Sequence, residues 1–222
     1  MAVRAVIFDV DGTLVDTVDL HTRAWQETFR HFGREIPFAD IRGQIGKGGD
    51  QLMPVFLPED EVERRGEEIE EHRKELYKAR YLSQARPFPG VRPLFERIRQ
   101  AGQRIVLASS GKPEEIEHYQ ELADIAGLVE AVTTSDEAEK SKPHPDIFQA
   151  ALAKLAPLKP EEAIVIGDTP YDAEAAVKAG IKPIGVLCGG FPEADLRAAG
   201  CVAIYAGPED LLRRYEESPL AG

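Results

Sequence analysis

Three observations predict an α/β protein built on a doubly wound, Rossmann-like parallel sheet with an α-helical unit inserted after the first strand. Short, wholly apolar runs recur along the 222 residues. Amphipathic segments of helical period alternate with them, and one long stretch, 17–86, contains no strand-like run. The expected organisation is therefore a core formed by 1–16 and 87–222, with a helical cap over 17–86.

The first run, Val3–Phe8, is apolar without alternation, as suits a central strand covered on both faces. In the helical unit, Leu20, Ala24, Thr28, Phe29 and Phe32 mark one face of a helix, and Glu59–Arg80 is highly charged with Val62, Ile69 and Leu76 spaced by seven. Pro87, Pro89 and Gly90 punctuate the return to the core. A helix over Val91–Ala101 stops at Gly102, and the strand Arg104–Ala108 follows. Pro113–Leu122 opens with proline and two glutamates, a good helix start. Ala131–Thr134 is a weaker strand, Asp146–Leu155 a helix and Ala163–Ile166 a strand. Tyr171–Ala179 and Glu193–Ala199 read as helices stopped by Gly180 and Gly200, flanking the strand Pro183–Leu187. Strand Val202–Tyr205 and helix Glu209–Tyr215 complete an alternation that calls for right-handed crossovers.

Hydrophobic residues make up 43% of the chain, enough for a buried core, and the formal net charge is −12. No basic surface is available for nucleic acid or for an anionic membrane. An anionic ligand would need positive charge supplied locally, by a metal, a lysine or helix N-termini. Cys188 and Cys201 lack metal-ligand spacing and are expected to be buried bystanders. The run Ala5–Phe8 is far too short for a signal peptide or a membrane span, so a soluble cytoplasmic protein is expected.

Four strand ends carry chemistry. The first strand closes on Asp9-Val10-Asp11-Gly12-Thr13, placing two carboxylates where open α/β sheets hold ligands. Like charges this close need a cation or a proton between them. Ser109-Ser110-Gly111 follows the strand ending at Ala108, offering a hydroxyl and backbone N–H groups to phosphate oxygens. Lys142, in Ser141-Lys142-Pro143-His144-Pro145, is a cation in a stiffened stretch of chain. Gly167-Asp168-Thr169-Pro170-Tyr171-Asp172 sets two carboxylates four residues apart at a helix start, a donor set suited to Mg²⁺. Each segment alone admits a plainer reading: turn aspartates, a Ser-Gly turn, a solvated lysine, an N-capping Asp168. Their order along one sheet is what points to a site.

Taken together, these four segments resemble the motifs of the haloacid dehalogenase (HAD) superfamily, and the likeness covers nearly the whole chain. The insertion after the first motif is similar to the C1-type cap of the phosphoglycolate phosphatase and β-phosphoglucomutase-like branch. Asp16-Thr17 through His21, with Ala24-Trp25, resembles the cap start of sugar-phosphate members. The resemblance implies a Mg²⁺-dependent phosphatase acting on a small phosphorylated metabolite through an aspartyl-phosphate. Asp9 would be the nucleophile and a Mg²⁺ ligand, and Asp11 the general acid and base, with its backbone carbonyl on the metal. Asp168 would be the main metal carboxylate and Asp172 a second ligand or an orienter of metal-bound water. Ser109, the Ser110 backbone and the Gly12 N–H would hold phosphoryl oxygens, and Lys142 would bridge Asp9 and phosphate.

Substrate recognition is expected from the cap. The loop Gly46-Lys47-Gly48-Gly49-Asp50 allows close backbone approach to a ligand, and Lys47 can reach an anion or stand as an exposed connector residue. His21 and Trp25 share a helix face; Trp25 also suits core packing, and His21 can touch substrate or Asp11. His31, His72 and His118 lie on charged helices and are expected in solvent. Asp11 argues against dehalogenase and phosphonoacetaldehyde hydrolase-like chemistry, since those members lack that aspartate. A β-phosphoglucomutase-like mutase and a non-catalytic phosphometabolite-binding regulator are the alternatives. The natural substrate stays open, and either a monomer or a homodimer fits.

Overall fold

A computed structural model describes residues 2–222. The chain runs β1 (Ala5–Phe8), α1 (Val18–His31), α2 (Phe38–Arg42), α3 (Gly49–Phe56), α4 (Glu59–Arg80), α5 (Val91–Gln100), β2 (Arg104–Ala108) and α6 (Pro113–Leu122). It continues with β3 (Ala131–Thr133), α7 (Asp146–Lys154), β4 (Ala163–Gly167), α8 (Pro170–Lys178), β5 (Lys182–Val186), α9 (Glu193–Ala198), β6 (Ala203–Tyr205) and α10 (Pro208–Arg213). Among the described residues the sheet has six strands in the order β3-β2-β1-β4-β5-β6, all parallel. The order reverses at β1, the strand that ends in Asp9, which is where such sheets open a crevice for ligands.

The absence of alternation in β1 has its expected cause. Val6 and Phe8 join one apolar cluster with Leu94, Phe95, Ile116 and Leu211, under α5, α6 and α10. Ala5 and Ile7 join a second cluster on the opposite face with Phe148, Ala151, Ala175 and Ala176, under α7 and α8. Helix starts are fixed locally: α8 opens with a capping box in which Thr169 and Asp172 exchange hydrogen bonds, and proline occupies the first turn of α6, α8 and α10.

The helical insertion has a core of its own, where Trp25, Phe29, Ile41, Leu52, Met53 and Ile69 pack together. Its two connections to the sheet domain lie side by side, with Asp16 N–H on the Arg86 carbonyl (2.8 Å) and Phe88 N–H on that of Leu14 (2.9 Å). Helix α4 departs from the expected narrow stripe. Ile69 and Tyr77 are buried, Val62 and Leu76 only partly, and Glu70 and Arg73 turn inward as well.

Three smaller expectations are corrected. His72 is half-buried, stacked on His31 at 4.3 Å and 3.2 Å from the Thr28 hydroxyl, because α1 and α4 pack face to face. His118 is also half-buried. Both cysteines are free but half-buried; the thiol of Cys188 donates to the Gly12 carbonyl at 3.2 Å.

At the sheet edge opposite the carboxyl ends, buried Gln103 ties both ends of the chain together. Its amide donates to the carbonyls of Val3 (3.0 Å) and Leu220 (2.7 Å), and it accepts from the Tyr215 hydroxyl (2.7 Å). No helix among the described residues is long and apolar enough to cross a membrane.

Candidate active site

The four chemistry-bearing segments converge, three from strand ends and one from a loop. Asp9 directly follows β1, Ser109 follows β2 and Asp168 follows β4, while Lys142 reaches in from the loop before α7, not from a strand end as expected. Lys142 is 1% exposed, and its ammonium lies 2.5 Å from Asp9 Oδ1 and 2.7 Å from Asp172 Oδ1. Burial alone would lower the Lys142 pKa, but the charges of Asp172 and Asp9 outweigh it and hold the amine protonated. Burial, then the charge of Asp172, pushes Asp9 up to about 7 against the pull of Lys142. Asp168, fully buried, is raised well above the usual range by burial and by Asp9 and Asp172.

These carboxylates fit a divalent cation. Oxygens of Asp9, Asp168 and Asp172 lie within 4.8 Å of one another. Asp168 Oδ2 is buried with no hydrogen-bond partner among the described residues. It sits against Gly12 and Gly189, where a Cβ would overlap it, so only glycine leaves that space. Three buried acids facing one lysine, with an orphaned oxygen, form a site short of positive charge. Asp172 Oδ2 already accepts from the Thr169 hydroxyl (2.6 Å) and N–H (3.1 Å), and its Oδ1 faces Lys142. Asp172 therefore anchors Lys142, which leaves Asp9 and Asp168 as the acids that could hold a cation.

Sequence reasoning assigned Thr13 no role. Its hydroxyl is fully buried and lies 3.0 Å from both Asp9 Oδ2 and Asp168 Oδ1. It can donate to one carboxylate at a time, so it links the expected nucleophile to the expected metal ligand. A threonine two residues after the second aspartate was the available signal.

Asp11 is held from the insertion. Its Oδ1 accepts from the Thr17 hydroxyl (2.7 Å) and lies 3.0 Å from His21 Nε2. Burial would raise its pKa, but His21, Thr17 and Lys142 prevail and keep it below the usual carboxylate range. His21 in turn stacks flat on Tyr77 at 3.9 Å, and Tyr77 shares a 2.5 Å hydrogen bond with Tyr119 of α6. Ser109 Oγ lies 3.5 Å from Asp11 Oδ2 and accepts from the Gly111 N–H at 3.0 Å.

One expected contact is corrected. The Gly12 N–H is not free for phosphate: it donates to Val15 O at 2.8 Å, closing the turn that carries the chain out of β1. What requires glycine there is φ +81° and the proximity of Asp168. Gly46 and Gly48 lie against Thr169 and Ser141 and, with Gly49, line the cavity over Asp9; Asp50 Oδ2 accepts from the Ser141 N–H at 3.2 Å.

Lys47, Trp25, His21 and Ser110 all line the cavity above Asp9 and Asp11, which encloses about 70 Å³. Trp25 is 4% exposed and stacks on Phe29, so it is both core and wall. The Lys47 ammonium is engaged by Gln44 Oε1 (2.6 Å) and lies over the Tyr171 ring at 4.7 Å. The cavity also includes Glu70 and Arg73 of α4 and Glu115 of α6, none of which the sequence singled out.

The profile of the haloacid dehalogenase-like hydrolases matches residues 3–180. The chain is 27% identical over 215 residues to a phosphorylated carbohydrates phosphatase of Thermotoga maritima, covering 96% of this chain and 99% of that one. It is 27% identical over 191 residues to a phosphoglycolate phosphatase of Aquifex aeolicus, covering 84% and 85%. A crystal structure of a hydrolase from Pseudomonas syringae superposes with a TM-score of 0.85 at 27% identity, over 96% of this chain and 98% of that chain.

Proposed function

The chain belongs to the haloacid dehalogenase-like hydrolases, and we propose that it is a Mg²⁺-dependent phosphatase that hydrolyses a small phosphorylated metabolite through an aspartyl-phosphate on Asp9. The observation that carries this reading is the Asp9–Lys142–Asp172 chain of contacts beside Asp168, at the point where strand order reverses.

In the first half-reaction an Asp9 carboxylate oxygen attacks phosphorus in line, and the bond to the leaving oxygen breaks as Asp11 gives it a proton. In the second, Asp11 takes a proton from water, whose oxygen attacks the phosphoryl group and returns Asp9 as carboxylate. Lys142 is fixed on the Asp9 oxygen by Asp172 and offsets the repulsion between nucleophile and phosphate. Ser109 and the Ser110 backbone would hold the transferring oxygens: Ser110 lines the cavity, and Ser109 Oγ lies 3.5 Å from Asp11 Oδ2. His21 orients Asp11 and governs how readily it holds a proton. Asp9 and Asp168 would hold the Mg²⁺, with the Asp11 carbonyl, and Asp172 behind them. When bound, the ion neutralises charge on the transferring phosphoryl group.

The helical insertion acts as a cap that excludes bulk water over the cavity. Turnover of p-nitrophenyl phosphate with Mg²⁺, loss on chelation, and loss in Asp9→Asn are the expected results. Equal turnover by wild type and Asp9→Asn would overturn the assignment. Primer-dependent isomerisation of a hexose 1-phosphate, in place of phosphate release, would instead identify a mutase.

A further inference from the structure

One short segment of the helical insertion, 42–50, comes down on the sheet domain beside the charged centre. The Arg42 guanidinium donates to the Gly189 carbonyl at 3.0 Å and lies 3.5 Å from that of Gly190. Asp19 of α1 aims it, accepting from Arg42 Nε at 2.8 Å. A Cβ at Gly190 would overlap the guanidinium, so glycine there is what admits it. The Tyr171 hydroxyl donates to the Gly43 carbonyl at 2.6 Å, and the Lys47 ammonium rests over the Tyr171 ring at 4.7 Å. Gly46 packs on the Thr169 side chain and Gly48 on Ser141, whose N–H donates to Asp50 Oδ2.

The partners on the sheet domain share one property. Ser141 precedes Lys142, Thr169 follows Asp168, and Tyr171 stands just before Asp172. Gly189 backs onto Asp168 Oδ2, where a Cβ would overlap that oxygen. Each is a neighbour, in sequence or in space, of an acid or of the lysine of the site. On its other side the segment presents Gly46, Lys47 and Gly49 to the cavity over Asp9. Arg42 and Tyr171 do not line that cavity; they face an open groove of about 860 Å³ between α2 and α9. Under the segment the cavity encloses about 70 Å³, against roughly 300 Å³ or more for an ordinary ligand site. A substrate therefore enters when the segment lifts, and the contacts of Arg42 and Tyr171 set how firmly it returns.

We infer that Arg42 and Tyr171 are positioning residues: they clasp segment 42–50 onto the stretches of chain that follow β4 and β5, and so set Lys47 over Asp9 and hold the Gly189 wall against Asp168. The inference rests on the phosphohydrolase reading above, yet the clasp itself is measurable without turnover.

The test uses Tyr171→Phe and Arg42→Met. The first keeps the ring under Lys47 and edge-on to Phe191 and removes only the hydroxyl; the second removes the guanidinium and keeps an unbranched stem. Trp25, the chain's single tryptophan, lines the cavity and is 4% exposed, so its fluorescence reports whether the segment is down. Acrylamide should quench Trp25 more strongly in each variant than in wild type, and most strongly in the double variant. With p-nitrophenyl phosphate and Mg²⁺, kcat/KM should fall roughly fivefold in each, the scale of one hydrogen bond. A rise in KM should carry most of that fall, because saturating substrate brings the segment back down. A smaller folded fraction would instead lower kcat and leave KM where it was. That pattern, or quenching equal to wild type in both variants, would overturn the inference. Stronger quenching in the variants with no turnover by wild type would uphold the clasp and overturn the phosphohydrolase reading.

Discussion

The Thr13 hydroxyl lies 3.0 Å from Asp168 Oδ1 and the same distance from Asp9 Oδ2, joining two buried acids that would otherwise only repel. Thr13→Val keeps the branched shape and removes the hydroxyl. A lost buried hydrogen bond of this kind is worth about 1 kcal/mol or more. The expected outcome is a fall in kcat/KM of roughly tenfold with the chain still folded, read by steady-state kinetics beside circular dichroism. Wild-type kinetics in Thr13→Val would remove the hydroxyl from the machinery.

Lys142 pairs with two acids at once, so its loss strands both Asp9 and Asp172 in the interior. Breaking a buried pair by deleting one partner costs about 3–5 kcal/mol. Lys142→Met should lower stability by that order in urea unfolding and abolish turnover. Lys142→Arg should not restore activity, because the planar guanidinium cannot occupy the compact position between the two oxygens. Rescue by arginine would show that charge alone is enough.

Metal and pH should act on stability together. In the metal-free protein Asp9 is pushed up to about 7 and Asp168 is raised too, by burial and by neighbouring acids. The unfolded chain titrates these groups near about 3.9. Stability from this source is therefore full below about pH 4 and is lost as pH rises through about 7. A divalent cation relieves the same repulsion. The rise in Tm on adding Mg²⁺ to chelator-treated protein should be larger at pH 8 than at pH 5. An equal rise at both would argue that the ion binds elsewhere.

His21 holds Asp11 below the usual carboxylate range through a 3.0 Å contact. His21→Phe retains a ring to stack on Tyr77 but removes that contact. The Asp11 pKa should then rise, moving the acidic limb of the kcat profile to higher pH. A profile that drops in height without moving would assign His21 to packing alone.

The strand ends were legible in sequence because their signals are local. An apolar run that stops on a carboxylate, as at Phe8-Asp9 or Gly167-Asp168, declares both its burial and its functional end. The double duty of Asp172, closing a capping box and holding Lys142, was not legible, because its place in the sequence signals only a helix start and a possible metal carboxylate. The Gly12 N–H was misjudged for a related reason: its bond to Val15 O depends on how the turn closes, which composition does not state. Glu70 and Arg73 were hidden by their surroundings. On α4 they sit among many similar charges, and only the packing of α1 against α4 shows which of these face inward.

The amide of Gln103 brings the carbonyls of Val3 and Leu220 to one point on the rim away from Asp9. A linker of a few residues joining the chain at Val3 to the chain at Leu220 would therefore span little distance in a circularly permuted variant, with new ends opened in an exposed loop and the strand connections beside Asp9 intact. The same rim is the natural place to tether the molecule to a solid support, since an attachment there leaves the mouth of the cavity facing the solution.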